Sequence, residues 1–339
     1  MSKKSVFVLG AGASFEAGGP LIKDFFSRGK ESDASVYARR FDDDEKYLVL
    51  EAIYKDWAAK EEGPDVEKFF RYLSVNKTTG LSLTDPRTGS RISPETLERY
   101  LTWYIASYVQ HSIAWHRKIP QQYYRFADFL SRRGIEPAII TFNYDMVLEK
   151  AIIAQMGGVD YRLGKIRGLR EFSDTSSVPF IKLHGSLNWR KCTQCKEVYV
   201  YDHPVAHIFK RERCSSRCDG FINSVIVPPV RDKGAYLGSS NHLWNEAHKV
   251  LQRADYLTII GYSLPAIDEV SEELLRRAVK TNEDMIIDIV NPEISVIDDI
   301  GRRLGLGGVD TGSTPRYMPL NCTFMQYVEQ ISKNKKMRS

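Results

Sequence analysis

The side chains best suited to chemistry are a histidine, an asparagine and an aspartate that follow apolar, β-branched runs. Asn143 and Asp145 come at the end of the run 134–141, and His184 follows the run 178–183 and precedes a glycine. A neutral imidazole can accept a proton, and general-base assistance of this kind contributes about 10²–10⁴-fold to a rate. Asn143 can hydrogen-bond a hydroxyl group or an attacking water, and Asp145 can orient either group. These three residues are the candidate catalytic residues, and a satisfied core histidine is the structural alternative for His184.

Four of the five cysteines form two close pairs, Cys192 with Cys195 and Cys214 with Cys218. Two pairs of thiolates at such spacing are typical of a closed tetrahedral zinc site, with Zn–S distances of about 2.3 Å. A closed site has no position for a reacting water, so the expected role is to hold together a loop module that is too small for its own core. Free thiols or a degenerate site are the alternative. Cys322 stands alone and is expected to be a small buried hydrophobe.

A third candidate site is the glycine-containing stretch from Ser5 to Ser14, whose sequence is SVFVLGAGAS. Its apolar half predicts a strand buried on both faces, as in a parallel sheet. Gly10 and Gly12 permit a tight turn and close approach to a ligand, and Ser14 is expected to cap a following helix whose free N–H groups favour an anion. This pattern outlines a phosphate-binding loop, with glycines that serve only packing as the alternative. Phe15 replaces the third glycine of the dinucleotide fingerprint, which argues against an ordinary dehydrogenase.

The elements that must position these groups are strands of one parallel sheet. Further apolar runs end on Gly261-Tyr-Ser263 and on Asn291, so polar or glycine residues follow five successive strands, at 5–9, 134–141, 178–183, 254–260 and 285–290. Carboxyl ends of parallel strands meet at one edge of a sheet, which is where open α/β folds bind ligands. The sequence therefore predicts an α/β fold with a Rossmann-like parallel sheet and helices on both faces.

The predicted sheet is interrupted twice. Apolar spacings of three and four predict helices at 47–60, 65–73 and 93–116, and we assign residues 31–120 to a helical insertion whose aromatic side chains are expected to serve packing. The predicted organisation is a Rossmann-like domain made of 1–30, 121–190 and 221–330, the helical insertion at 31–120, a zinc-binding module at 191–220 and a flexible basic tail at 331–339. The insertion is not required by the sheet.

Composition excludes several classes of function. The chain has 339 residues, of which 42% are hydrophobic and 27% charged. Its formal net charge is +5, and its basic residues are interleaved with acidic ones. No basic stripe indicates nucleic-acid binding, and no apolar run approaches the roughly 20 residues of a membrane span. A cytoplasmic globular protein is the expectation.

The motifs described above, taken in their order along the chain, resemble those of the sirtuin family of NAD-consuming enzymes. Thr141-Phe-Asn-Tyr-Asp145 resembles the family's Thr-Gln-Asn-Ile-Asp, and His184-Gly185 resembles its catalytic His-Gly. The resemblance implies NAD as substrate, a nicotinamide-ribose pocket at Asn143 and Asp145, and a structural zinc. It also implies the remaining cofactor-binding residues, which are Gly10, Ala11, Gly12, Ser14, Pro20, Gly261, Ser263 and Asn291.

The departures from the family pattern concern the peptide-modifying members. Protein deacylases continue the first loop with Pro-Asp-Phe-Arg, whereas this chain has Pro20-Leu-Ile-Lys23. They also carry a Phe-Gly-Glu clamp after the zinc module, where this chain has Ile226-Val-Pro-Pro-Val230, and two prolines are poorly suited to pairing with a peptide strand. These segments resemble the bacterial sirtuin-like branch that hydrolyses NAD, often as antiviral defence effectors.

Three functions remain open at this stage. NAD hydrolysis is preferred because the peptide clamp is missing, while deacylation or ADP-ribosyl transfer is supported by the zinc module, which many hydrolase relatives lack. The third is a non-catalytic sensor of NAD or ADP-ribose. Since an unrestrained hydrolase would drain the cell's cofactor, we expect a homo-oligomer or a regulatory protein partner to gate the enzyme through the insertion, with a satellite core as the alternative use of its aromatic residues.

Overall fold

The computed structural model describes residues 2–26, 44–115, 118–163, 166–167, 172, 177–205, 212–215, 218–226, 241–265, 268–306 and 316–333. Its strands are β1 (Lys3–Leu9), β2 (Leu83–Thr84), β3 (Arg91–Ile92), β4 (Ile135–Thr141), β5 (Val159–Asp160), β6 (Ile166–Arg167), β7 (Val178–Lys182), β8 (Gly185–Cys192), β9 (Val198–Val200), β10 (Glu212–Arg213), β11 (Phe221–Ile226), β12 (Tyr256–Ile260), β13 (Ile286–Val290) and β14 (Tyr317–Leu320). Its α-helices are α1 (Glu45–Ala58), α2 (Val66–Thr79), α3 (Pro94–Trp115), α4 (Gln121–Leu130), α5 (Val147–Met156), α6 (Asn241–Gln252), α7 (Glu269–Thr281), α8 (Ile294–Arg303) and α9 (Phe324–Lys333).

The centre of the fold is a seven-stranded sheet in the order β14-β13-β12-β1-β4-β7-β5, in which every neighbouring pair is parallel. The chain leaves the central strand β1 toward β4 and β7, then returns to the other side of β1 at β12. Ligand crevices of open α/β sheets form where the strand order reverses in this way. The predicted α/β class with a Rossmann-like parallel sheet is confirmed.

Strand β1 shows why the sheet is buried on both faces. Phe7 packs edge-on against Phe126 and Phe129 of α4, with ring centroids 5.3 and 6.3 Å apart, so α4 covers one face. On the opposite face Val6 and Val8 are also buried. Because neither face meets water, the strand needs no polar alternation, and its continuous apolar run is what a central parallel strand requires. All five predicted strands occupy this sheet.

A second, five-stranded sheet has the order β10-β11-β8-β9-β6. Strand β8 lies at its centre and pairs antiparallel with β9 and β11, and the register against β11 shifts between Ser224 and Ile226. Strand β8, which begins one residue after His184, was not predicted. The polar residues that alternate along this stretch are not typical of a strand buried on both faces, although its side chains are buried on both faces.

Helices α1 to α3, together with Phe25 and Phe26, form what we term the helical module. Phe26 stacks between Tyr54 and Tyr104, with centroids 4.0 and 4.7 Å apart, and meets Phe69 edge-on at 6.5 Å. The module has its own aromatic core, so its buried aromatic side chains serve packing as predicted. The three predicted helices are present, and the short hairpin of β2 and β3 between the second and third was missed.

Several boundaries differ from the sequence-based expectations. Strands β5 and β14, at the two edges of the parallel sheet, were not predicted, because each is short and β14 carries a proline at 319. Residues 331–333, predicted as part of the flexible tail, belong to α9. The rest of the predicted tail, residues 334–339, lies outside the described residues. Among the described helices, none is long and apolar enough to cross a bilayer.

Candidate active site

Two glycine-containing turns meet at the carboxyl edge of the sheet, between the central strand and its neighbour. The main-chain N–H of Gly12 donates to Gly261 O at 2.9 Å, and that of Gly10 donates to Ile260 O at 3.0 Å. A Cβ on Gly12 would lie 2.9 Å from the Gly261 Cα, and one on Gly10 would lie 2.5 Å from the Tyr262 Cα. The glycines are therefore required for the close approach of two turns. This was the alternative that we considered for the loop.

The loop itself does not lead into the expected α-helix, and its predicted binding of a phosphate stays a prediction. Ala11–Ala13 and Phe15–Ala17 are single 3₁₀ turns, and Ser14 makes no capping hydrogen bond through its side chain. The N–H groups of Ala13 and Ser14 donate to Gly10 O and Ala11 O, so they are already used. The expected α-helix N-terminus with Ser14 as its cap is wrong, because short 3₁₀ turns with internal hydrogen bonds occupy this stretch. Pro20, a predicted cofactor-binding residue, lies two residues before the 3₁₀ turn at Ile22–Asp24.

Asn143 joins the loop to the next strand. Its amide Nδ2 donates to Gly10 O at 2.8 Å and to Ser14 Oγ at 3.0 Å, while its main-chain N–H donates to Thr141 Oγ1 at 3.1 Å. Both amide hydrogens are thus used, and a ligand would meet the carbonyl Oδ1, which only accepts. Asn143 was predicted as a site residue, but its attachment to the loop 133 positions earlier was not.

Asp145 is buried and holds the start of α5. Its Oδ1 accepts the N–H of Val147 at 2.9 Å, and its main-chain carbonyl accepts a hydrogen bond from Lys182 Nζ. The same ammonium forms an ion pair with Glu149, and both side chains are almost completely buried. Burial raises the pKa of Glu149, whereas the charge of Lys182 lowers it. This buried pair was not predicted, although charged residues within apolar runs were a visible signal.

A small cavity lies beneath the loop and brings several predicted residues together. Ser14, Asn143 and Asp145 line it with the buried ion pair and with Tyr123, whose hydroxyl donates to Ala13 O at 2.8 Å. Burial, and then the negative charges of Asp145 and Glu16, raise the pKa of Tyr123, so this tyrosine is a neutral donor. Ser14 of the loop and Asn143 of the next turn are therefore joined by a hydrogen bond in the lining of this cavity.

His184 is the best-defined chemical group at the edge. Its Nε2 lies 3.1 Å from Oδ2 of Asp268, which also accepts the hydroxyl of Tyr262 at 3.1 Å, and both His184 and Asp268 are buried. A carboxylate at Nε2 favours the tautomer with the proton on that nitrogen, which makes Nδ1 the basic one. Asp268 was not among the predicted site residues. It is the N-cap of α7, and its Oδ1 accepts the N–H of Ser271 at 3.2 Å.

The residues on either side of Asn143 both face His184. Phe142 contacts the imidazole edge-on at 5.0 Å and stacks on Tyr262 at 4.1 Å, and Tyr144 lies 6.3 Å from the imidazole. Because these contacts come from both neighbours of Asn143, the strand ends of β4 and β7 are held beside each other. His184 therefore contacts both sequence neighbours of Asn143, and the catalytic roles of His184, Asn143 and Asp145 stay predictions.

Two predicted cofactor residues lie further along the same edge. Ser263 is exposed, in the turn after β12. Asn291 is buried after β13, where its Oδ1 accepts the N–H of Glu293 at 2.9 Å and its own N–H donates to Leu320 O at 3.1 Å. Asn291 thus shapes its own turn, and the predicted contact of either residue with a ligand stays a prediction.

The four paired cysteines form one cluster. The sulfur atoms of Cys192, Cys195, Cys214 and Cys218 all lie within 4.8 Å of one another, and those of Cys192 and Cys218 are 3.5 Å apart. A tetrahedral zinc with Zn–S bonds of about 2.3 Å needs sulfur atoms separated by about 3.8 Å, so the residues fit the ion. The cluster is consistent with structural zinc, as predicted. Cys322 is buried in the main core, as expected, and burial raises the pKa of its thiol.

Comparison with known proteins gives similarity only at the level of solved structures. No protein-family model and no functionally curated protein matches the sequence. Similar structures include a mutant Sir2 homologue in complex with ADP-ribose (17% identity, TM-score 0.45, covering 98% of this chain and 91% of that one). Others are Sir2Tm bound to a propionylated peptide (17%, 0.47, 97% and 92%) and a Sir2 homologue in complex with NAD (18%, 0.46, 98% and 89%). At these values the chemistry must be inferred from this chain's own residues.

Proposed function

We propose that this chain is a sirtuin-like NAD glycohydrolase, which cleaves NAD to nicotinamide and ADP-ribose. The observation that carries the proposal is the hydrogen-bonded pair of His184 and Asp268, placed at the carboxyl edge of a parallel sheet beside the Asn143 turn. A histidine held in one tautomer by a buried carboxylate, next to a second polar group at a ligand-binding edge, is the arrangement expected of a general base.

Cleavage of the bond between nicotinamide and ribose requires little acid catalysis from the protein. The nicotinamide of NAD is already cationic, so it leaves as a neutral base when the bond to ribose C1′ breaks. Water supplies the new C–O bond, and its proton passes to Nδ1 of His184 and then to solvent. Asp268, whose carboxylate also accepts the hydroxyl of Tyr262, would stabilise the imidazolium formed in this step.

Asn143 would act as an acceptor in this reaction. Since its Nδ2 is committed to Gly10 and Ser14, only Oδ1 can orient the attacking water or a ribose hydroxyl. The same hydrogen bonds hold the loop at a constant distance from the Asn143 turn, which is how orientation lowers a barrier. Asp145 would contribute by fixing the turn rather than by proton transfer.

NAD-dependent protein deacylation is a second candidate, and the four-cysteine cluster favours it. The two candidates share the cleavage of NAD and differ in what receives the ribosyl group. Residues 227–230 of the discriminating segment, which include its two prolines at 228 and 229, lie outside the described residues. Incubation of the purified protein with NAD, with and without an acyl-lysine peptide, separates the candidates: hydrolysis predicts nicotinamide release without peptide, and deacylation predicts release only with it.

The first test by mutation concerns His184 and Asn143. We expect His184→Ala and Asn143→Ala to lower the rate of NAD cleavage by roughly 10²-fold or more, because the base or the orienting acceptor is lost. Circular dichroism and melting temperature check that each variant folds. Cleavage at a rate near that of the wild-type protein by a folded variant would remove that residue from the proposed mechanism.

A role in bacterial defence, a cytoplasmic location, and gating by a homo-oligomer or a regulatory partner remain proposals. The aromatic residues that suggested an interface pack into the core of the helical module, which is the alternative we had considered, so they no longer argue for one. Sedimentation of the protein alongside NAD turnover across a range of concentrations tests the gating. A monomer whose specific activity is high and independent of concentration and of added factors would contradict it.

A further inference from the structure

A lysine is buried in the parallel sheet close to the candidate active site, and the mechanism above does not use it. Lys182 is the last residue of β7 and lies two residues before His184. Its side chain is completely buried. Burial of an ammonium group is costly even when it is paired, and apolar residues often stabilise a core as well as an ion pair does. Stability of the fold alone therefore does not account for a lysine at this position.

The ammonium group of Lys182 has two partners. It donates to the main-chain carbonyl oxygen of Asp145 and forms an ion pair with Oε1 of Glu149. Glu149 lies in the first turn of α5, and its Oε1 also accepts the hydroxyl of Tyr161 at 3.4 Å. Lys182 therefore joins the end of β7 both to the turn that precedes α5 and to the first turn of that helix.

Residues 142–146, the Asn143 turn, connect β4 to α5 without regular secondary structure and are held on both sides of Asn143. On one side, Thr141 Oγ1 accepts the N–H of Asn143 at 3.1 Å. The strand register pairs Thr141 with Lys182, so the lysine lies beside the residue from which the turn starts. On the other side, the carbonyl of Asp145 accepts the hydrogen bond from Lys182. Asn143 thus lies between two fixed points of the main chain.

The buried ion pair also borders the glycine-containing loop. Glu149 and Lys182 line the same small cavity as Ser14, Asn143 and Asp145. The Lys182 ammonium is separated from Asn143 by one hydrogen bond and two residues of main chain. Because Nδ2 of Asn143 is hydrogen-bonded to the loop, the direction of its Oδ1 depends on where the main chain of the turn is held.

We propose that Lys182 is a positioning residue for the cleavage of NAD, which acts on Asn143 through the main chain of the Asn143 turn. Its hydrogen bond fixes the Asp145 carbonyl, and an orienting group displaced by about 1 Å can cost about 10²-fold in rate. Glu149 balances the charge, which allows the ammonium to stay buried. The inference rests on the proposed function for the identity of the reaction, and one of its two measurements does not require turnover.

The test is the double variant Glu149→Leu with Lys182→Met in the full-length protein, because it removes the buried charges together with the donor to Asp145. We expect a folded protein with a melting temperature near that of the wild type. Its kcat for NAD cleavage should fall by roughly tenfold or more, with a smaller change in KM, since the lost contact orients a group for the transition state. A pair that served stability alone would leave kcat unchanged.

The second measurement is hydrogen–deuterium exchange followed by mass spectrometry. We expect the main-chain amides of the Asn143 turn to exchange faster in the double variant, while those of the central strands β1 and β12 keep their rates, because only the turn has lost a fixed point.

The matched control makes the same two replacements in a lysine–glutamate pair of the helical module. Lys77 Nζ lies 2.8 Å from Oε2 of Glu98, and Lys77→Met with Glu98→Leu should leave both kcat and the exchange of the Asn143 turn unchanged. If the first double variant does not fold, Lys182→Met alone takes its place. Burial already raises the pKa of Glu149, so its carboxyl group can bind a proton once the lysine is gone. The same two changes are expected.

A kcat near that of the wild type in a folded variant without Lys182 would overturn the inference, and so would unchanged exchange of the Asn143 turn. An equal fall of kcat in the control variant would also overturn it. Failure of the proposed function looks different, because a wild-type protein that releases no nicotinamide refutes the hydrolase. In that case the exchange measurement still decides whether Lys182 holds the Asn143 turn.

Discussion

The parallel sheet and the cysteine module are linked by strand β8 of the five-stranded sheet but are stabilised in different ways. The sheet is enclosed by one large apolar core that draws side chains from all its central strands and from most of the flanking helices. The buried core of the cysteine module consists of Cys192, Tyr199 and Ile222, with a few half-buried neighbours. A region with so little buried apolar surface needs another source of stability, and four converging thiols can provide it through a metal.

Strand β8 connects these two regions, and this connection gives the comparison a functional meaning. The strand begins at Gly185, beside His184, and ends at Cys192 in the cluster. Gly185 has a φ of 84°, and a Cβ there would lie 1.9 Å from Val225 O, so the first residue of the strand is closely confined. The cysteine module and the candidate active site therefore lie at opposite ends of strand β8.

Removing the metal should have the largest effect. We expect one zinc per chain, and Cys192→Ser combined with Cys195→Ser should lower solubility and melting temperature together, since structural zinc binding contributes on the order of 10 kcal/mol in small zinc domains. Elemental analysis of protein purified without chelator measures the metal. Cys322→Ala, in the core of the sheet, is the matched control and should leave the zinc content unchanged. A zinc-free wild-type protein, or a double variant of normal stability, would contradict the idea that a metal stabilises the cysteine module while apolar burial stabilises the sheet.

Within the sheet, the sharpest test is the buried ion pair of Glu149 and Lys182. Glu149→Gln leaves an unpaired buried ammonium, so we expect a loss of about 3–5 kcal/mol in the free energy of unfolding, measured by denaturant titration. The double variant Glu149→Leu with Lys182→Met replaces both charges by apolar groups and should recover most of that loss. If the double variant is no more stable than the single one, charge burial does not explain the effect, and the pair contributes chiefly through its contact with the Asp145 carbonyl.

The smallest expected effect concerns the meeting of the two glycine turns. Gly261 has a φ of 59°, and a Cβ there would lie 2.5 Å from the main chain at Gly12. Gly261→Ala should cost about 1–3 kcal/mol and weaken NAD binding, because the turns must separate. Gly80→Ala is the control, since Gly80 has a φ of 69° and no atom within 4 Å of the added Cβ. It should cost about 1 kcal/mol and leave NAD binding unchanged, and equal effects on binding would show that the close approach is unimportant.

Local patterns in the sequence predicted much of the fold and part of the candidate site. Apolar runs predicted five strands of the parallel sheet, because a strand buried on both faces must be apolar along its whole length. Polar residues at the ends of those strands marked Asn143, Asp145 and His184. The paired cysteines marked a metal site by spacing alone, and the structure places their sulfur atoms in one cluster.

What pattern could not provide is the partner of each group. Asp268 is 84 positions from His184 and has the ordinary signature of a helix N-cap, so nothing local distinguishes it from any other capping aspartate. The glycines of the first loop fit a phosphate cradle equally well until Gly261 is seen to pack against them.

The sequence by itself determined five strands of the parallel sheet and the polar side chains at their ends, since apolar runs and strand termination are local properties of the chain. Only the tertiary structure decided that the carboxylate next to His184 is Asp268, and that Asn143 uses its amide hydrogens to hold the loop. The physical reason is that hydrogen bonds and buried charges act over a few ångströms in space between residues far apart along the chain, and the order of strands in the sheet brings those residues together.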